Sequence, residues 1–124
     1  LSIRRQRQMC IRDSSNTIQN NVIRQACIAK GDCGAIRTFG RNNLASTPVY
    51  NVTINNNTIV DTLGNTDGCR SDFDPLFGFG IYIDNFSRNV TVRGNSVTNS
   101  TANGILFQNS TGSMTGNTLY NNGK

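Results

Sequence analysis

Apolar positions along this chain recur in two short patterns rather than in one long periodic stretch. The first is apolar-x-x-Asn-x-apolar, and it occurs four times: Ile18-Gln-Asn-Asn21-Val-Ile23, Ile54-Asn-Asn-Asn57-Thr-Ile59, Val92-Arg-Gly-Asn95-Ser-Val97 and Met114-Thr-Gly-Asn117-Thr-Leu119. Its Asn residues are 36, 38 and 22 positions apart. The second lies between the copies: Ala35-Ile36-Arg37-Thr38, Gly80-Ile81-Tyr82-Ile83-Asp84-Asn85 and Gly104-Ile105-Leu106-Phe107-Gln108-Asn109. Each opens on a small residue and then alternates with period two, as a half-buried strand does. From Ile23, Ile59 and Val97 to the first apolar residue of the next strand takes 13, 22 and 8 residues, so one connection varies while the strands keep their pattern.

Short β-branched strands, Asn/Gly turns and a basic repeat near 22 residues predict an all-β parallel β-helix, a solenoid of three to four rungs. One rung is too small to bury its own apolar face, so rungs stack about 4.8 Å apart and share a core. Asn21, Asn57, Asn95 and Asn117 then have a structural role. Asn tolerates left-handed backbone at a tight turn, and stacked copies form an amide ladder. A β-sandwich of short strands is the competing architecture, but it leaves the four position-matched Asn unexplained. Regular apolar spacing argues against a disordered Asn-rich tract.

The opening LSIRRQRQMCIRDS differs in composition. It holds four of the twelve basic residues (Arg4, Arg5, Arg7, Arg12) against one acid, Asp13. Such a stretch reads either as a basic arm for nucleic acid or anionic lipid or as a disordered tail. Arg4 to Ser14 resembles instead the translation of a transposase sequencing adapter, which implies that residues 1–14 are a non-native, disordered segment and that the gene is truncated. The protein proper is then residues 15–124, with eight basic residues against six acids. On that reading the pI of 9.4 gives no ground for a nucleic-acid partner, and none is expected. Flanking rungs of a parent chain are expected instead to cover the open sheet edges, which otherwise invite aggregation.

Other absences narrow the chemistry. No apolar run of about 18 residues exists to span a membrane as a helix, and no apolar stretch follows the basic start as in a signal peptide. The chain has no His and no Glu, which excludes a Ser-His-Asp triad, a Cys-His pair and the usual zinc sites.

NVTINNNTIVDT and NVTVRGNSVTNSTANGILFQNSTG resemble the right-handed parallel β-helix superfamily, the pectate-lyase-like fold, and the resemblance extends over nearly all of residues 15–124. It implies a right-handed single-stranded helix in a secreted or cell-surface protein that binds or processes extracellular polysaccharide, polyuronate among the substrates. The alternative is a noncatalytic structural or adhesive solenoid. An enzyme of this kind would be a polysaccharide lyase or a glycoside hydrolase. Lyases on this fold use a Lys or Arg base, with Ca²⁺ or Arg neutralising the uronate carboxylate; Lys30, Arg37, Arg70 and Arg88 are available. Asn65-Thr66-Asp67-Gly68 is similar to the NTDG motif of polygalacturonases, but no Asp pair follows it, Gly-His-Gly is impossible and Arg-x-Lys is absent.

Candidate site residues follow from strand alternation. With Ile36, Ile81 and Ile105 inside, Arg37, Tyr82 and Leu106 form one outward column, and Phe39, Asp84 and Gln108 the next. Arg37, Tyr82, Asp84 and Gln108 are the expected substrate-binding set: guanidinium for carboxylates, a ring for the sugar face, polar groups for hydroxyls. A merely solvated sheet face is the plain alternative. The connection at 61–79, DTLGNTDGCRSDFDPLFGF, is an inserted loop with four of the six remaining acids. Asp67, Arg70, Asp72 and Asp74 are its catalytic candidates, and Asp67, Asp72 and Asp74 would supply oxygens to a Ca²⁺ ion. Cys27 and Cys33 bracket a loop short enough for a disulfide, with two buried thiols as the alternative. Six N-x-[ST] sequons arise automatically from the Asn/Thr-rich repeat and carry little information.

Overall fold

The computed structural model describes residues 9–11, 15–29, 31–40, 49–65 and 77–123. Twelve strands and no helix form among them: β1 (Met9–Ile11), β2 (Thr17–Gln19), β3 (Val22–Ala26), β4 (Cys33–Phe39), β5 (Thr53–Asn55), β6 (Thr58–Thr62), β7 (Gly78–Asp84), β8 (Val90–Arg93), β9 (Ser96–Ser100), β10 (Ile105–Phe107), β11 (Gly112–Thr115) and β12 (Thr118–Tyr120). They make three four-stranded sheets, β1-β4-β7-β10, β2-β5-β8-β11 and β3-β6-β9-β12. All strand pairings are parallel. The antiparallel sandwich is therefore not what these residues build. Successive strands visit the three sheets in turn, and every fourth strand lies beside the first, an order compatible with a β-helix-like fold.

Parallel in-register pairing turns each sequence pattern into a column. Ile18 aligns with Ile54, Ile54 with Val92, and Val92 with Met114. Ile23, Ile59, Val97 and Leu119 align in the same way in the third sheet, as do Ile36, Ile81 and Ile105 in the first. The first members of these columns join one buried cluster, each fully buried Ile contributing about 2–3 kcal/mol. Met114 and Leu119 continue two columns yet are half-exposed, because β10, β11 and β12 are the edges of their sheets.

The small residue that opens each second-pattern strand has a packing role. Register between β4 and β7 pairs Gly34 with Phe79 and Ile36 with Ile81 but passes over Ala35 and Gly80. Both strands skip one residue there, so the register is unchanged, and Ala35 and Ile36 are both buried in the core. A Cβ on Gly80 would stand 2.2 Å from Val97 Cγ1, which leaves no room for a side chain.

Corners stack as well. Asn20, Asn56, Gly94 and Gly116 have φ of 57°, 53°, 62° and 61°, each immediately before a ladder Asn. The expectation that the ladder Asn itself takes the left-handed backbone is corrected by one position. The preceding residue turns the chain, and the ladder Asn makes the hydrogen bonds. Asn21 N and Nδ2 both donate to Asn57 Oδ1 at 3.0 Å, Asn57 N and Nδ2 to Asn95 Oδ1 at 2.9 Å, and Asn95 N and Nδ2 to Asn117 Oδ1 at 2.9 Å. Shorter side-chain stacks lie at other corners: Asn89 on Asn51 at 2.7 Å, Asn121–Asn99–Asp61 at 2.8 and 3.0 Å, and Asn109 on Asn85 at 3.4 Å.

Within the segment expected to be disordered, Met9–Ile11 form β1 and pair with Ile36–Thr38 of β4. Parallel pairing uses backbone groups alone, so an unpaired strand edge accepts any extended segment whatever its origin.

Candidate functional site

Strands β4, β7 and β10 carry the groove where the outward columns meet. Register places Arg37 beside Tyr82 and Tyr82 beside Leu106, with Phe39 beside Asp84. Gln108 follows β10 and Asn103 precedes it; Phe77, Phe79 and Asn85 flank the same surface, and Asp32 reaches it from the loop before β4. The open groove has a volume of about 610 Å³. A disulfide between Cys27 and Cys33, with Cα atoms 6.0 Å apart, closes the loop that carries Asp32.

The floor is a buried ion pair. Arg37 Nε donates to Asp84 Oδ2 at 3.1 Å, and Nη2 donates to the same oxygen. Nη1 donates to the Asp32 carbonyl at 3.1 Å, while Nη2 lies 3.8 Å from Asp32 Oδ2. Asp84 Oδ1 accepts from Asn85 N at 2.7 Å and Asn85 Nδ2 at 2.6 Å. A carboxylate that is only 2% exposed thus receives four hydrogen bonds, as a buried charge requires. Desolvation pulls the Arg37 guanidinium down, but the hydrogen bond and charge of Asp84, with the charge of Asp32, hold it above its ordinary value. A guanidinium held this way keeps its proton.

Aromatic rings complete the floor. The Arg37 guanidinium lies 5.0 Å from the Tyr82 ring centroid and 5.6 Å from that of Phe39. Phe79 packs against Tyr82 at 4.5 Å, and Phe77 stacks on Phe79 at 5.8 Å. Tyr82 Oη donates to Gln108 Oε1 at 2.5 Å. Burial, then the charges of Asp84 and Asp32, push the Tyr82 phenol well above its ordinary range. The ring fits against β4 because Gly34 has no side chain, for a Cβ there would lie 2.7 Å from Tyr82 Cβ.

Arg37, Tyr82, Asp84 and Gln108, predicted to share one face, do meet here. Tyr82 and Asp84, at 3% and 2% exposure, lie beneath the surface rather than on it. The amides and Phe39 form the accessible walls. Sequence reasoning missed Asp32, Phe77, Phe79, Asn85 and Asn103. The two Phe sat at the end of the stretch read as a loop, although Phe-Gly-Phe-Gly before Ile81 already alternates. The catalytic and Ca²⁺ candidates Asp67, Arg70, Asp72 and Asp74, and the base candidate Lys30, lie outside the described residues. Among the described residues, no three His, Cys, Asp or Glu side chains converge as metal ligands, and no helix is long and apolar enough to cross a membrane.

Comparison with known proteins gives no match, whether to a family model, a curated protein or a solved structure.

Proposed function

We propose that the chain is a right-handed parallel β-helix of the pectate-lyase-like kind, secreted or displayed on a cell surface, that binds extracellular polysaccharide along the groove over β4, β7 and β10. The observation that carries this reading is the groove itself, with an ion-paired floor and walls of side-chain amides and a phenyl ring. Amides match sugar hydroxyls as both donors and acceptors, and rings match the apolar sugar face. Right-handedness is supported by the strong preference of parallel crossovers, and an oxidising compartment by the Cys27–Cys33 disulfide.

A noncatalytic structural or adhesive role is the second reading. It is favoured by Arg37 and Asp84 bonding to each other, which leaves neither ready to transfer a proton. Incubation with pectate and alginate separates the cases. A rise in the ultraviolet absorbance of unsaturated uronate marks a lyase, and new reducing ends without that rise mark a hydrolase. Retention on a glycan array with neither marks a binder. Absence of all three overturns the polysaccharide reading.

A further inference from the structure

Asparagine followed by glycine occurs twice in the chain, at Asn103-Gly104 and at Asn122-Gly123. Such a pair can cyclise, because glycine lets its amide nitrogen approach the preceding side chain with no Cβ in the way. The fold treats the two copies differently. Asn122 Oδ1 accepts from Ser100 N at 2.9 Å, and its Nδ2 donates to the Val97 carbonyl at 3.0 Å. Gly123 N donates to the carbonyls of Ser100 and Ala102, both at 2.9 Å. Side-chain amide and backbone nucleophile are therefore both tied down. At the other copy, neither the Asn103 side chain nor Gly104 N makes a hydrogen bond among the described residues. Only the two carbonyls are held, Asn103 O by Gly80 N at 3.2 Å and Gly104 O by Ile81 N at 2.8 Å. Asn103 is half-buried in the groove lining, at the entry to the edge strand β10.

Packing explains why glycine stands at 104. A Cβ there would lie 2.8 Å from Asn122 Nδ2 and 3.0 Å from Asn122 Cγ. Asn122 has little freedom to yield, since both ends of its amide are bonded. The stacking that locks the second pair thus requires the glycine that leaves the first one reactive.

We infer that Asn103 is a site of spontaneous, backbone-assisted deamidation that turns a groove-wall amide into aspartate or isoaspartate, while Asn122 is protected. Gly104 N gives its proton to hydroxide and attacks Asn103 Cγ. The new C–N bond forms as the Cγ–Nδ2 bond breaks, and the side-chain nitrogen leaves as ammonia, taking a proton from water. A second water opens the succinimide at either carbonyl, which restores the chain with a carboxylate and needs no oxidant or cofactor. Isoaspartate also lengthens the main chain by a methylene just before β10, altering the wall that residue 103 shares with Leu106 and Gln108. The step is independent of what the groove binds.

Ageing the full chain in mildly alkaline buffer, with tandem mass spectrometry of its peptides to locate each amide-to-acid conversion, is the test. Asn103 should convert about tenfold or more faster than Asn122, because freeing each bond of the second pair costs about 1 kcal/mol. In concentrated urea the two rates should converge. Asn103→Gln should remove the acid product at that position and leave the rate at Asn122 unchanged. Equal native rates, faster conversion at Asn122, or no conversion at Asn103 overturns the inference. A difference that persists in urea also overturns it, since the neighbours Ala102 and Asn121 would then set the rates in place of the fold.

Discussion

Arg37 and Asp84, 47 residues apart in sequence, neutralise each other beneath the groove, with Nε and Nη2 of the guanidinium both directed to Oδ2 of the carboxylate. The pair ties β4 to β7 on the face opposite the core and sets the electrostatics of the surface above it. Asp84→Ala leaves the guanidinium and the Asn85 amide uncompensated and should cost about 3–5 kcal/mol. The double substitution Arg37→Met with Asp84→Leu should recover most of that loss, because a paired charge contributes little over an apolar isostere. Urea unfolding of the two variants checks this, and a double variant no better than the single one would show that the pair itself is stabilising.

The amide ladder should weaken from its middle to its edge. Asn57 is buried and accepts from Asn21 N and Nδ2 while donating to Asn95 Oδ1 and the Ile18 carbonyl. Asn57→Ala orphans several buried groups and should destabilise by about 3 kcal/mol. Asn117 makes similar bonds at the partly exposed last position, where water replaces lost partners, so Asn117→Ala should cost about 1 kcal/mol. Equal effects in thermal melts would contradict the gradient.

Among the described residues, Thr62 Oγ1 and Ser100 Oγ are buried without a hydrogen-bond partner, and they occupy one column, since Thr62 pairs with Ser100. Thr62→Val keeps the shape and removes an unsatisfied hydroxyl, so it should raise stability by about 1 kcal/mol. A lower melting temperature would reveal a partner for that hydroxyl.

The Tyr82 phenol is raised from an ordinary 10.0, first by burial and then by the Asp84 and Asp32 carboxylates. A raised folded-state value means the native protein holds this proton more tightly than the unfolded chain. The associated stability is complete below pH 10 and declines as pH rises through the folded value. Tyr82 should ionise above the ordinary phenol range when followed by ultraviolet difference absorbance, and Tyr82→Phe should abolish that step. If Tyr82→Phe leaves the alkaline titration unchanged, the phenol is not held this way.

Much of this architecture was legible before any coordinates. Because parallel strands align like with like, Ile54 and Ile59 flanking Asn57 already implied three columns, two of core and one of amides. Strand alternation likewise put Arg37 with Tyr82 and Asp84 with Gln108. It could not show that Tyr82 and Asp84 sink beneath the surface, since that depends on Phe79, stacked on Phe77, packing against the Tyr82 ring and on Arg37 and Asn85 bonding to Asp84. Nor could it show that the successive residues Ala35 and Ile36 are both buried, where the period-two rule fails for one residue.

The sequence by itself determined which residues repeat, and hence the strands, the core columns and the Asn ladder, because periodicity is a local property that parallel stacking only copies. Tertiary structure decided what those columns do to one another. It directed Arg37 at Asp84 rather than at solvent and placed the left-handed turn one residue before each ladder Asn. These outcomes depend on contacts between residues tens of positions apart, and the connections that bring them together vary in length where the repeat itself does not.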